Sequence, residues 1–167
     1  MNISTTFAEF KEIHDLIKRS GLSKPEPILQ PHKLSRKIIL SPEITETCLK
    51  LYEDGHHALA VEAAFKMINN YVKCQSGLGE LDGMALMQMA LSVSNPKIKL
   101  NRLKTKSEKD EQLGYMNILA GCMVGIRNPR AHEHKYKDSD RTALELLLLA
   151  DHLMQKLRSA STTTQDS

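Results

Sequence analysis

Apolar residues recur along most of the chain at the three- and four-residue spacing of amphipathic helices. One such stripe, Phe7, Phe10, His14 and Ile17, predicts an N-terminal helix that ends near Gly21. Five further helices are predicted, at residues 43–53, around 60–72, at 83–91, from 107 to 126 and at 139–157. No stretch alternates apolar and polar residues with the period of two that marks a half-buried strand. The pattern therefore predicts an all-α protein, a small helical bundle.

Prolines and helix-start signals divide the chain into three parts. Three prolines between residues 25 and 31 prevent a continuous helix there, so residues 1–40 are predicted to form an N-terminal helix followed by a linker arm. The sequence Ser41-Pro42-Glu43 begins the next helix, because it combines an N-cap, a proline and an acid in the first turn. We expect the helical domain at residues 41–158 and a disordered polar tail at 159–167.

The amino-acid composition limits which cellular compartment and which binding partners we expect for this protein. The 167 residues are 41% hydrophobic and 26% charged, which is the mix of an ordinary globular domain. No apolar run is long enough to cross a membrane, and the N-terminus lacks the pattern of a signal peptide. Three widely spaced cysteines predict a reducing compartment, so we expect a cytoplasmic protein. The net charge of +3 and the absence of tryptophan do not by themselves predict nucleic-acid binding.

The segment from Gly125 to His134 concentrates arginine, asparagine and histidine at the end of an apolar helix. On a continuous helix, Arg127 and His132 would point about 140° apart. Pro129 disfavours helical geometry at Asn128, so we expect a break that turns His132 to the side that Arg127 faces. An arginine fork fits a phosphate, and an imidazole titrates near neutrality, so the pair suits phosphodiester cleavage.

These residues carry a family resemblance. Arg127-Asn128-x-x-x-His132 is similar to the Arg-x₄₋₆-His motif of the HEPN ribonuclease superfamily. Leu51–Lys66, Leu103–Glu108 and Gly125–Glu133 resemble the Ymh branch of that superfamily. The resemblance extends over about residues 41–157 and leaves residues 1–40 outside.

The resemblance implies a HEPN-like helical bundle that forms a homodimer through its motif helices, with both copies of Arg127 and His132 in one cleft. It implies a metal-independent endoribonuclease, in which the ribose 2′-OH attacks its own phosphate and leaves a 2′,3′-cyclic phosphate. A toxin or phage-defence effector, restrained by an antitoxin or another regulatory partner, is the role we expect. His132 would act as general base or acid, Arg127 would neutralise the phosphorane, and Asn128 would hold the phosphate or orient the histidine.

The residues support this interpretation independently. No acidic cluster with the spacing of divalent-metal ligands accompanies the motif, so neither a metal nor another cofactor is predicted. Each chain offers one motif histidine, whereas the reaction needs both a base and an acid, and a symmetric dimer supplies the second. The broad apolar bands of the last two helices also favour a dimer. Candidate contacts to the RNA backbone are Arg130, His134, Lys135, Lys104 and Lys106.

Two other hypotheses remain open. The domain is alternatively a non-catalytic module for dimerisation or for nucleotide or RNA binding in a larger defence assembly, in which Arg127 and His132 only cap and pair. A weaker alternative is a metal-binding protein that uses His132 and His134 with Glu133, although no third strong ligand is evident. His56 and His57 follow Asp54-Gly55 and are expected to start a helix, and Cys122 is expected in the core.

Overall fold

A computed structural model of the chain describes residues 40–162. The predicted N-terminal helix and almost all of the predicted arm therefore lie outside the described residues. The predicted domain at residues 41–158 lies entirely within them. Of the tail, only residues 159–162 are described.

Five helices, which we label α1–α5, make up most of the described residues. Helix α1 consists of Pro42–Ile44, the π-helical Thr45–Leu49 and Lys50–Glu53, and it is followed by α2 (His57–Ser76) and α3 (Gly83–Ala90). Helix α4 consists of Lys106–Cys122, the π-helical Met123–Arg127 and Asn128–His132, and α5 is Asp140–Arg158. Two short strands, β1 (Ile98–Lys99) and β2 (Ser161–Thr162), pair antiparallel. With only two residues per strand the fold is all-α, as the sequence predicted.

The helix ends follow local signals in the sequence. Pro42 occupies the first turn of α1, where its missing N–H is not needed. Gly77 ends α2 in a left-handed conformation, with φ of +68°, that suits glycine. The Ser139 side chain accepts a hydrogen bond from the backbone N–H of Thr142 and so caps α5. Thr105 and Glu108 form a capping box at the start of α4.

The core lies between α2, α4 and α5. Helix α2 packs against α5, against α3 and against the π-helical part of α4. Its buried side chains share one face, and they include the alanines that allow neighbouring helices to approach. The fully buried large side chains include Phe65, Ile68, Leu86, Leu119, Met123, Leu147 and Leu153. Leu40 is also part of this core, and the Ser41 N–H donates to Asp151 at 2.8 Å, so the end of the arm is anchored on the bundle.

One buried polar side chain fixes the loop between α3 and α4. Gln112 is fully buried, yet its amide nitrogen donates to the carbonyl oxygens of Leu91 and Ile98, both at 2.9 Å. Its amide oxygen accepts the N–H of Leu100, also at 2.9 Å. All three hydrogen bonds go to backbone groups, so the Gln112 side chain takes the place of the water molecules that these buried groups would otherwise bind.

The start of the predicted disordered tail is ordered in the structure. The Ser159 hydroxyl donates to the Lys156 carbonyl at 2.8 Å, and Ala160 packs against the core. Residues 161–162 then pair with β1, which gives backbone groups of both short strands hydrogen-bond partners. Within the described residues, no helix combines the length and the apolar character needed to cross a membrane.

Candidate functional site

The end of helix α4 widens instead of breaking. Asn128 keeps right-handed helical dihedrals, with φ of −62° and ψ of −43°, and its N–H donates to the Met123 carbonyl five residues back. Proline cannot donate, and its ring collides with a carbonyl in a standard turn, so the wider π-helical turn before Pro129 relieves the clash. Our expectation of a break at Asn128 was wrong, and the helix continues to His132.

This continuity separates Arg127 from His132 in one chain. From Arg127 onward the backbone is α-helical, so side chains five residues apart point about 140° from each other. Within the described residues, no hydrogen bond joins the two side chains, and the one that Arg127 makes is to Asn128. The predicted rotation of His132 toward Arg127 therefore does not occur.

Arg127 lies half-buried beside Asn128. Its Nη1 donates to the Asn128 side-chain oxygen at 3.1 Å. Its Nε is buried and has no acceptor among the described residues. A buried guanidinium N–H without an acceptor is costly, and each such group needs an explanation. Among the described residues the Ser41 hydroxyl and one Glu43 carboxylate oxygen are also buried without a partner, but Arg127 is the member of this set that lies in the motif.

A negative charge that interacts with Arg127 comes from the residue before α3. The Asp82 carboxylate accepts the Gly83 N–H at 2.8 Å and lies 3.7 Å from Lys73 Nζ. Partial burial raises the pKa of Asp82, but the hydrogen bond from Gly83 and the charges of Lys73 and Arg127 outweigh it and lower that pKa. Asp82 therefore stays ionised and adds a negative charge to the surroundings of Arg127. No signal in the sequence connects this carboxylate with the motif.

Arg130 has a structural role that the sequence did not reveal. Its Nε and Nη2 bind the two carboxylate oxygens of Asp138 at 2.7 and 2.6 Å, and its Nη1 donates to the Ile126 carbonyl at 2.7 Å. The side chains of Arg130 and Asp138 are only 3% and 4% exposed. Because each of its three nitrogens donates to the protein and the side chain is buried, Arg130 does not join the residues available to RNA, and we remove it from that set.

The remaining predicted RNA contacts lie at two distant places. His132, His134 and Lys135 are exposed at the end of α4 and in the turn that follows. Lys104 and Lys106 are also exposed, but they lie at the opposite end of α4. Because an α-helix rises about 1.5 Å per residue, these lysines are about 30 Å from Arg127 along the helix axis. One chain does not bring the two sets together.

The described residues support neither the metal-binding hypothesis nor a nucleophilic thiol at Cys122. Within residues 40–162, no three histidine, cysteine or acidic side chains are grouped as a metal ion requires, and this includes His132, Glu133 and His134. Cys122 is buried in the core, as predicted. Burial raises the pKa of its thiol to about 11, so the thiolate nucleophile is scarce at neutral pH.

A second polar cluster joins α1, α2 and α5. The Tyr52 hydroxyl donates to the Asp140 carboxylate, and His57 Nε2 lies 3.8 Å from the same carboxylate. Burial, and then the Asp140 hydrogen bond and charge, raise the pKa of Tyr52 far above its usual value. His57 Nδ1 is 3.4 Å from the Asp138 carbonyl, so the cluster touches the residue that binds Arg130. The sequence marked His57 only as a helix start.

Comparison with known families agrees with the extent of the described domain. A family model described as "Protein of unknown function (Hypoth_ymh)" matches residues 39–157. The chain belongs to the Hypoth_ymh family. The matched residues include Arg127, Asn128 and His132 together with all five helices except the last residue of α5. No curated protein and no solved structure matches this Hypoth_ymh chain.

Proposed function

We propose that this Hypoth_ymh protein is a metal-independent endoribonuclease of the HEPN type. The observation that carries the proposal is the buried, unpaired Nε of Arg127 next to Asn128, on the same helix end as the exposed His132. A guanidinium with an unused donor, positioned by the neighbouring Asn128 amide, would bind a phosphate oxygen once a small shift of the side chain exposes that donor. Arg130, by contrast, donates from all three of its nitrogens to protein acceptors.

The proposed reaction needs no group from outside the RNA and the protein. A general base removes the proton of the ribose 2′-OH, and the 2′ oxygen forms a bond to the adjacent phosphorus. The bond from phosphorus to the 5′ oxygen breaks, and a general acid protonates that oxygen. His132 supplies acid–base catalysis, Arg127 binds the oxygens that gain charge, and Asn128 holds Arg127 in place.

A homodimer completes this site because Arg127 and His132 face different directions in one chain. Residues 113–126 of α4 contain no charged residue, and Ile118 and Val124 are 47% and 48% exposed. A side chain added at Gly114, Gly121 or Gly125 would meet no atom within 4 Å, so the same helix is open for close approach. We propose that two copies pair through this uncharged face of α4, and that Arg127 of one copy approaches His132 of the partner.

The proposed cleft gives a role to the exposed residues that follow His132. His134 and Lys135 extend from it and would bind the RNA backbone near the cut. Lys104 and Lys106 lie about 30 Å away along α4, so they would contact only RNA that extends well beyond the cut. The proposed biological role is a toxin or phage-defence effector, restrained by an antitoxin or regulatory partner until RNA must be cut.

A non-catalytic dimerisation module is the second candidate. It is favoured by the separation of Arg127 from His132 in one chain, together with the uncharged face of α4. In this case the motif helix would serve only to pair two copies.

Expression in a host without any partner distinguishes the two candidates. The ribonuclease should slow growth, and His132→Ala should restore it while reaching the same protein level. Lys66→Ala, an exposed change on α2 away from the site, should slow growth as the wild type does. Equal growth with the wild type and His132→Ala would favour the non-catalytic module.

A further inference from the structure

A cavity lies next to the motif segment and is not explained by the proposed reaction. Its volume is about 390 Å³, within the range of small-molecule sites. Residues 55–59, at the turn into α2, form one wall. Tyr136, Lys137 and Asp138, in the loop before α5, form the other.

The ionisable groups of this cavity favour an anion. Its one carboxylate, on Asp138, is bound by both Nε and Nη2 of Arg130 and is therefore neutralised. The other ionisable side chains are Lys137 and His56, both exposed, and His57. A phosphate in the cavity would meet Lys137, His56 and the neutralised Asp138. The Asp140 carboxylate, which lies 3.8 Å from His57 Nε2 and accepts the Tyr52 hydroxyl, does not line the cavity.

The cavity also has an apolar surface suited to a base. Leu59 is 49% exposed although it is a large apolar side chain. The ring of Tyr136, on the opposite wall, is fixed because the guanidinium of Arg130 lies 4.8 Å from its centre. A flat ligand between these two side chains would cover apolar area that water now contacts.

The position of the cavity connects it with the proposed cut site. The Tyr136 N–H donates to the Glu133 carbonyl at 3.0 Å, which closes a turn directly after His132. The Cα atoms of such a turn's first and last residues are less than about 7 Å apart, so Tyr136 lies within about 11 Å of His132. A nucleotide next to the cleaved phosphate can reach this distance.

We propose that the cavity binds one nucleotide of the RNA strand, with its phosphate near Lys137 and His56 and its base between Leu59 and Tyr136. This inference rests on the proposed ribonuclease function, and it names the group by which the enzyme selects its cutting position. Free nucleotides share the same chemistry, so the test separates the two sources.

Calorimetric titration of the His132→Ala protein measures binding without any cleavage. The ligands are the four nucleoside 3′-monophosphates, the nucleosides, inorganic phosphate and tetraribonucleotides. We expect at least one monophosphate to bind at least about fivefold more tightly than its nucleoside or phosphate, the scale of one added exposed charge contact. A tetranucleotide containing that base should bind at least as tightly. Phosphate alone binding as well as every nucleotide would overturn the inference, and a free nucleotide binding more tightly than any RNA would overturn the assignment to a strand.

Variants of both walls locate the binding. Added to His132→Ala, Lys137→Ala should weaken the nucleotide by at least about fivefold and Leu59→Asp by at least about tenfold, because it places a negative charge beside the base and phosphate. Lys66→Ala on the same helix, outside the cavity, should leave affinity unchanged. Unchanged affinity in both wall variants would overturn the inference. If nucleotides bind but the wild type cleaves no RNA, the proposed ribonuclease function is contradicted and the cavity remains a nucleotide site. If the wild type cleaves RNA but no nucleotide binds, the ribonuclease function stands and the proposed nucleotide site is contradicted.

Discussion

The two ends of helix α4 satisfy their polar groups in different ways. At the start, the Thr105 side chain accepts the Glu108 N–H at 3.2 Å, and a Glu108 oxygen accepts the N–H groups of Thr105 and Lys104 at 2.8 and 2.7 Å. At the other end, the Nε of Arg127 stays buried and unpaired. The polar groups at the first end are paired within the protein, whereas among the described residues Arg127 Nε has no acceptor, and this difference is what our proposal assigns to a ligand.

The motif end itself contains both kinds of arginine. Arg130 has its donors bound to Asp138 and Ile126, and three residues earlier Arg127 keeps a free donor. We propose that unused hydrogen-bonding capacity, and not residue type or exposure, distinguishes an arginine that binds a ligand from one that holds the fold. The predictions below test this division.

The largest effect on stability is expected from Arg130→Ala. This change leaves the Asp138 carboxylate buried without its partner, which typically costs about 3–5 kcal/mol. Chemical denaturation should show the loss as a lower free energy of unfolding. Asp138→Asn should destabilise by a similar mechanism, whereas Arg127→Ala should change stability much less. Equal losses of unfolding free energy in Arg130→Ala and Arg127→Ala would contradict the distinction between a structural Arg130 and a ligand-binding Arg127.

The largest effect on activity is expected from Arg127→Ala and His132→Ala. Each should lower the rate of RNA cleavage by at least about 10²-fold, the scale of acid–base groups and charge-stabilising donors. Asn128→Ala should cost less, because it only orients Arg127. The rates are measured with purified proteins whose circular dichroism spectra match the wild type. A His132→Ala protein that cleaves as fast as the wild type would show that the site is misassigned.

A smaller effect is expected when a charge is placed on the uncharged face of α4. Val124→Glu should weaken the dimer by at least about tenfold, because the added carboxylate would have to lose water in the interface. Met89→Glu on α3, where the native side chain is 52% exposed, is the matched control and should leave the dimer intact. Sedimentation over a range of concentrations measures both. A fully active wild-type monomer would contradict the shared cleft.

The smallest effect concerns acid stability at the start of α4. Hydrogen bonds from the N–H groups of Thr105 and Lys104 lower the pKa of Glu108 below its ordinary value of 4.5. A lowered pKa in the folded state means that ionised Glu108 stabilises the fold above pH 4.5, and that this contribution is lost as the pH falls further. Glu108→Gln should therefore flatten the decline of stability below this pH. An unchanged slope in the variant would show that the carboxylate charge contributes nothing there.

Local signals in the sequence predicted most of the fold. Apolar periodicity identified the helices, and Ser41-Pro42-Glu43 and Ser139 marked two of their starts, because capping depends on residues within one turn. The helix predicted from residue 107 begins at Lys106, and its capping box, formed by Thr105 and Glu108, was not predicted. The π-helical turn was missed because the clash around Pro129 can be relieved by breaking or by widening, and packing decides which.

The candidate site was predictable only in part. Arg127, Asn128 and His132 were marked by their composition and spacing. The neighbours that decide what each one does come from far along the chain, such as Asp82 beside Arg127 and Asp140 beside His57. Asp138 is only eight residues from Arg130, yet nothing in the sequence shows that their side chains are buried together. Such pairings depend on tertiary packing, which a single sequence does not reveal.

The most direct test of the proposed ribonuclease is an end-group measurement on RNA incubated with the purified protein in excess EDTA. We predict that cleavage continues, that the products carry 2′,3′-cyclic phosphate and 5′-hydroxyl ends, and that His132→Ala prepared in parallel yields none of them. Cleavage that stops in EDTA and returns with Mg²⁺ or Mn²⁺, or products with 5′-phosphate ends, would contradict it.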